Sequence, residues 1–94
     1  MIYVVSFSST TEAMMASSKL SAARVPFYTI ALPSVIKAGC GMALRLQTED
    51  ASISVLLSPL DQSNCVYELY EQNDEGQYRR IQTDFLRGAG NNES

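Results

Sequence analysis

The chain has 94 residues, 46% of them apolar, and a net charge of −3, enough for one small core and too little for two. It has no histidine, which removes Ser-His and Cys-His dyads, imidazole metal sites and the commonest general base. The acidic balance argues against nucleic acid as the main partner, and no apolar run approaches the roughly 20 residues of a membrane span.

Leu, Ile, Val and Phe make up 23 residues, which argues against wholesale disorder. A core of this size leaves little stability to spare, so a homo-oligomer is expected. No basic residue precedes Lys19, unlike a secretory leader, so a cytoplasmic chain is expected, with Cys40 and Cys65 as thiols. Two cysteines are too few for a disulfide scaffold or a four-thiolate zinc site, and no metal or cofactor is expected. Charge is unevenly spread. From Ala13 to Thr48 the only charges are Lys19, Arg24, Lys37 and Arg45, whereas Glu49 to Gln77 holds seven acids and no base.

Ile2 to Phe7 is β-branched and aromatic, as a buried strand requires. Ser9-Thr10-Thr11-Glu12 has the capping-box pattern and predicts a helix ending near Arg24, with Ala13, Met14, Ala16, Ser17, Leu20 and Ala23 as its narrow inner stripe. Val25 to Leu32 reads as a second strand, closed by Pro33. Met42 to Gln47 alternates cleanly as a third, with Met42, Leu44 and Leu46 toward the core. Thr48 is placed to cap a second helix, with Ile53, Leu56, Leu57 and Leu60 as its apolar face and Pro59 and Asp61 ending it. Cys65 to Gln72 reads as a fourth strand.

The order βαββαβ predicts an α+β, ferredoxin-like two-layer sandwich over residues 1–72, with antiparallel sheet order 4-1-3-2. Its second sheet face, bearing some of Tyr3, Val5, Phe7, Val66 and Tyr70, has no helix assigned and is a candidate homodimer surface. Residues 73–88 form an extension, either a hairpin strand at Gln77 to Gln82 or a short helix bearing Tyr78, Ile81 and Phe85, with the hairpin favoured. Residues 89–94 are small and polar and expected to be disordered.

Cys40 stands between Gly39 and Gly41, whose backbone freedom can expose a sulfur and turn N–H groups toward it. The expected topology brings Arg24 and Lys37 near it, and two cations would favour the nucleophilic thiolate. On spacing alone the triplet is equally a turn holding a small inert thiol. Cys65 alternates with Tyr67 and Leu69 and reads as core filler, at the opposite end of the sheet from Cys40 and so beyond disulfide reach. Ser8 to Thr11 are read as helix caps, Met14, Met15 and Met42 as packing, and the Glu68, Glu71, Asp74 and Glu75 cluster as a solvated edge.

Phe7 to Met14, Leu32-Pro33, Tyr67-Glu68-Leu69 and above all Ala38-Gly39-Cys40-Gly41-Met42-Ala43-Leu44-Arg45 resemble the small selenium/sulfur carrier protein-like domains. The resemblance runs from Met1 to about Gln72. It implies a cytoplasmic carrier whose Cys40 accepts sulfur or selenium as a persulfide or perselenide from a donor such as a desulfurase or selenocysteine lyase and passes it to an acceptor protein. The residue after Pro33, commonly Arg in that family, is Ser34 here. Two other classes compete with a carrier. One is an interaction module that docks partners through the sheet face with Cys40 structural; the other, ranked last because no resolving cysteine lies nearby, is a thiol redox sensor.

Overall fold

The computed structural model describes residues 1–37, 39–49 and 52–81. The elements run β1 (Ile2–Ser6), α1 (Thr10–Ala22), β2 (Tyr28–Ala31), β3 (Met42–Gln47), α2 (Ile53–Gln62), β4 (Glu68–Gln72) and β5 (Tyr78–Ile81). All strand pairs are antiparallel, and the sheet order is β2-β3-β1-β4-β5. The α+β class is as expected and the arrangement is compatible with a ferredoxin-like sandwich. The order 4-1-3-2 is not that of the whole sheet, because β5 joins outside β4 and makes β1 the middle strand of five. The extension is therefore a hairpin: the Asn73 side-chain oxygen accepts the N–H groups of Glu75 and Gln77 at 2.9 Å, and Gly76 supplies the positive φ of +83°. Gln82 and the expected tail at 89–94 lie outside the described residues.

At the start of α1, Ser9 Oγ accepts the Glu12 N–H at 3.1 Å, as the capping pattern predicts. The Glu12 carboxylate accepts from the Ser8 hydroxyl at 2.9 Å, where a reciprocal bond to the Ser9 backbone was expected. Both helices end in one and the same way. Arg24 at φ +62° and Asn64 at φ +59° turn the chain, and the next N–H groups, of Val25 and Cys65, each reach back 2.9 Å to the carbonyls of Leu20 and Leu60. This is the Schellman closure, whose last residue packs against the helix it terminates, so Val25 and Cys65 are both buried.

That closure shortens two expected strands. β2 starts at Tyr28 where Val25 was expected, and β4 at Glu68 where Cys65 was expected. Ser6, the last residue of β1, pairs with Glu68, so the strand that would pair with 65–67 has already ended. α2 also departs from its expected limits. The Thr48 N–H bonds to the Met1 carbonyl at 2.9 Å and prolongs the β3–β1 ladder, so the helix starts at Ile53 with Ser52 at its cap position. Pro59 does not end the helix, which continues to Gln62. A proline at that position leaves the Val55 carbonyl without its backbone donor, and the Ser58 hydroxyl supplies one at 2.9 Å.

Both helices pack on one sheet face. The main core joins Tyr3, Val5, Phe7, Leu44, Leu46 and Leu69 from the sheet side to Ala13, Ala16 and Leu20 of α1 and Ile53, Leu57 and Leu60 of α2. Two small inner residues, Ala13 and Ala16, let α1 lie close, while Met14 and Ala23, expected in its stripe, face outward. Tyr3, Val5 and Phe7 thus belong to the helix side, not to the second face. That second face carries Val4 and Ala43 at its centre, with Ile36, Ile30, Leu32, Tyr70 and Tyr78 around them. Val66 lies outside the strand and is exposed. Among the described residues no helix is long and apolar enough to cross a membrane.

Candidate functional site

The Gly-Cys-Gly triplet sits in the connection from β2 to β3. The Leu32 N–H bonds to the Gly41 carbonyl at 3.0 Å and closes the mouth of this connection, one step beyond the Ala31–Met42 pair. Just inside, the Ile36 N–H bonds to the Pro33 carbonyl at 3.0 Å, and the Ile36 side chain, 5% exposed, anchors the turn on Val4 and Ala43. Ser34, Val35 and Lys37 are exposed around that anchor.

The two glycines are required for different reasons. A Cβ on Gly39 would stand 2.7 Å from Leu32 Cδ2, so the tip of that side chain would have to give way, and φ here is +156°. At Gly41 nothing lies within 4 Å of the same added atom, but φ is +92°, a region that side-chain-bearing residues rarely adopt. Cys40 is held between them, half-buried at the edge of the main core. Its thiol donates to the Met42 carbonyl at 3.6 Å. Among the described residues, then, the sulfur's recorded partner is an acceptor and not the expected cradle of N–H donors. An ionised sulfur has no hydrogen to offer Met42 and is released from that contact.

Of the two expected cations, Lys37 shares the connection with Cys40 and is exposed three residues before it. Arg24 lies at the other end of the sheet. Ser6 pairs with Ala43, so β1 finishes at the Cys40 end, and α1 starts there and runs back. β2 then begins beside Arg45, with Tyr28 as its partner, and Arg24 precedes even that. The correction has a simple cause: a helix that follows a strand reverses the chain, so its carboxyl end returns to where the strand began.

The same register moves Cys65. Ser6 pairs with both Ala43 and Glu68, so β3 and β4 start at one end, and the two cysteines share it instead of lying at opposite ends. Both are free thiols. The strands they precede are separated by β1, two interstrand spacings or about 9.5 Å, more than a disulfide spans. Cys65 is a buried neighbour of α2, and burial pushes its thiol up, an effect that Lys19 opposes and the carboxylates of Glu12 and Asp61 reinforce. The two sulfurs therefore differ in access.

Beside the Cys40 connection a cleft of about 120 Å³ opens, lined by Ser6, Phe7, Ser8, Gly39, Val66, Tyr67 and Glu68. Three separate connections meet to form it, and no local sequence signal could have announced it. On the second sheet face, the Arg45 guanidinium carbon lies 5.7 Å from the centre of the Tyr28 ring, and its Nε is buried without an acceptor. Across β1, the Tyr70 hydroxyl donates to Glu68 at 2.7 Å, and the other Glu68 oxygen is 3.7 Å from Arg80. Burial, together with that hydrogen bond, pushes the Tyr70 hydroxyl above its ordinary range.

No curated protein and no solved structure matches the chain. Residues 2–68, from the first strand to the start of β4, match the family described as "Putative Se/S carrier protein-like", a span that contains the Gly-Cys-Gly connection, and the chain belongs to that family.

Proposed function

We propose that the chain carries sulfur or selenium on Cys40 and transfers it between partner proteins. The observation that carries this reading is a half-buried thiol, set between two glycines with separate structural reasons to be glycine, inside the span shared with the carrier-like family. In the loading step, the Cys40 thiolate attacks the outer sulfur of a donor persulfide, R–S–SH. The new S–S bond forms as the old one breaks, leaving Cys40–S–SH and the donor thiolate. In delivery, an acceptor thiolate attacks the outer atom and Cys40 leaves as thiolate. Nothing is oxidised overall, and no general base is needed once the thiol is ionised. Selenium follows the same exchange as R–S–SeH.

A pyridoxal-phosphate desulfurase or a selenocysteine lyase is the class of donor this chemistry calls for, and a reducing, cytoplasmic setting keeps the thiol available. Gly39 and Gly41 hold the sulfur in place, and Lys37 is the cation positioned on the same connection. Arg24 has no part in this scheme. Incubation with such a donor should add one sulfur or selenium atom to the intact mass, mapped to Cys40, and Cys40→Ser should abolish the addition while keeping the circular dichroism spectrum. An unmodified mass, under conditions that load an authentic carrier, overturns the reading.

The second sheet face, which carries no helix, favours a second reading, an interaction module in which Cys40 is structural. In that case Cys40→Ser keeps the partner and the cellular phenotype.

A further inference from the structure

We infer that the second sheet face is built to pack against the same face of a second copy of this chain. The observation is a row of side chains running across the sheet at the level of Val4. Arg45 and Tyr70 both pair with Val4, Tyr28 pairs with Arg45, and Arg80 pairs with Tyr70. Directly opposed residues of an antiparallel sheet point to one face. The row therefore reads Tyr28, Arg45, Val4, Tyr70, Arg80, with the middle strand at its centre.

Read from the other edge, the row is Arg80, Tyr70, Val4, Arg45, Tyr28. A two-fold axis parallel to β1 lays one reading on the other. Tyr28 then meets Arg80 of the second copy, Arg45 meets Tyr70 of the second copy, and the two Val4 positions share the axis. Every guanidinium is opposite a tyrosine and none is opposite another guanidinium, the self-complementarity that an isologous interface requires. The alternative axis, across the strands, would set each arginine over its own counterpart.

The composition of the face fits this occupant. Its centre is apolar, Val4 and Ala43 lying beneath Ile36 and Tyr70, while Tyr28 at the rim is 70% exposed. The half-buried Arg45 side chain lies beside the Tyr28 ring, and the Tyr70 hydroxyl and Glu68 carboxylate of the second copy lie on the strand facing it. Val4 and Ala43 are already covered by Ile36 and Tyr70, so contact between the copies falls to the long side chains of Tyr28, Arg45, Tyr70 and Arg80. One consequence is geometric. An axis parallel to β1 keeps both copies pointing the same way, so both Cys40 connections lie at one end of the pair.

Sedimentation equilibrium of the full chain tests the inference. Concentration-dependent dimerisation is expected. Tyr28→Arg should weaken it roughly tenfold or more by opposing two guanidinium groups, and adding Arg80→Tyr should recover it, since the swap restores the pairing. A second test uses Tyr28→Cys and Arg80→Cys as separate chains in a Cys40→Ser background. Within one chain these sites are four strand spacings apart, about 19 Å. A short bifunctional maleimide, needed because facing sheets lie about 10 Å or more apart and beyond disulfide reach, should join position 28 to position 80 between chains in the mixture, while neither variant alone cross-links to itself. A monomer at every concentration, or a dimer unmoved by Tyr28→Arg, or a failed swap with no 28-to-80 link, overturns the inference. It does not depend on the carrier reading: a dimer that takes up no sulfur, or a loaded monomer, separates the two.

Discussion

Gly39 and Gly41 flank one sulfur yet would fail by different physics if changed. At Gly39 the Leu32 side chain, which has some freedom to move, adds to a φ of +156°; at Gly41, with φ +92° and open space, the obstacle is the backbone alone. Gly41→Ala should therefore lower stability by about 1–2 kcal/mol although the new methyl group collides with nothing, measurable as a shift in the urea midpoint at constant slope. Alkylation should also become less uniform, because the turn holding Cys40 loses its preferred geometry. The triplet was legible in the sequence as a place where a thiol could be displayed. Its distinction from Cys65 was legible as well, since alternation put Cys65 with Tyr67 and Leu69 and the structure buries all three. The sulfur's own partner was not. A bond to the Met42 carbonyl depends on how the chain re-enters β3, which spacing does not encode.

Helix ends carry the next lesson. Arg24 is exposed and holds φ +62° only to let the Val25 N–H reach Leu20. Glycine takes that conformation without the Cβ penalty, so Arg24→Gly should stabilise the fold by about 0.5–1 kcal/mol, with sulfur loading of Cys40 unchanged. Thermal unfolding checks the first part and intact mass the second. A fall in loading would mean that the cation acts on Cys40 from the far end of the sheet. The matching closure after α2 explains why strand limits were misread in the sequence. Val25 and Cys65 are buried as helix terminators, and their apolar character extends the apparent alternation of β2 and β4 backward past the last residue able to pair. Pro59 misled in the other direction: its missing N–H ends a helix only where the orphaned carbonyl finds no donor, and Ser58 provides one.

At the scale of the molecule, the Cys65 thiol and the Tyr70 hydroxyl make alkaline pH informative. The folded chain favours the neutral Cys65 thiol and the neutral Tyr70 hydroxyl, whereas the unfolded chain ionises them in their ordinary ranges. Stability from Cys65 is thus complete below about pH 9 and is lost as pH rises through the higher folded value, with Tyr70 adding a similar loss above about pH 10. Cys65→Val, which places at the end of α2 the residue type that closes α1, should fold at neutral pH and lose stability less steeply above pH 9, leaving the Tyr70 component. An unchanged slope in denaturant titrations would remove Cys65 from this account.

The sequence by itself determined the number and kind of elements through β4, the glycine-flanked thiol and the apolar inner faces of the helices, because each is written in spacings of two, three or four residues along a continuous stretch. Tertiary structure alone decided that Cys40 and Cys65 share an end while Arg24 lies at the other, and that tyrosine and arginine alternate across the second face. Those facts depend on the register between strands distant in the chain, and register is fixed by backbone pairing across the sheet, which no local periodicity records.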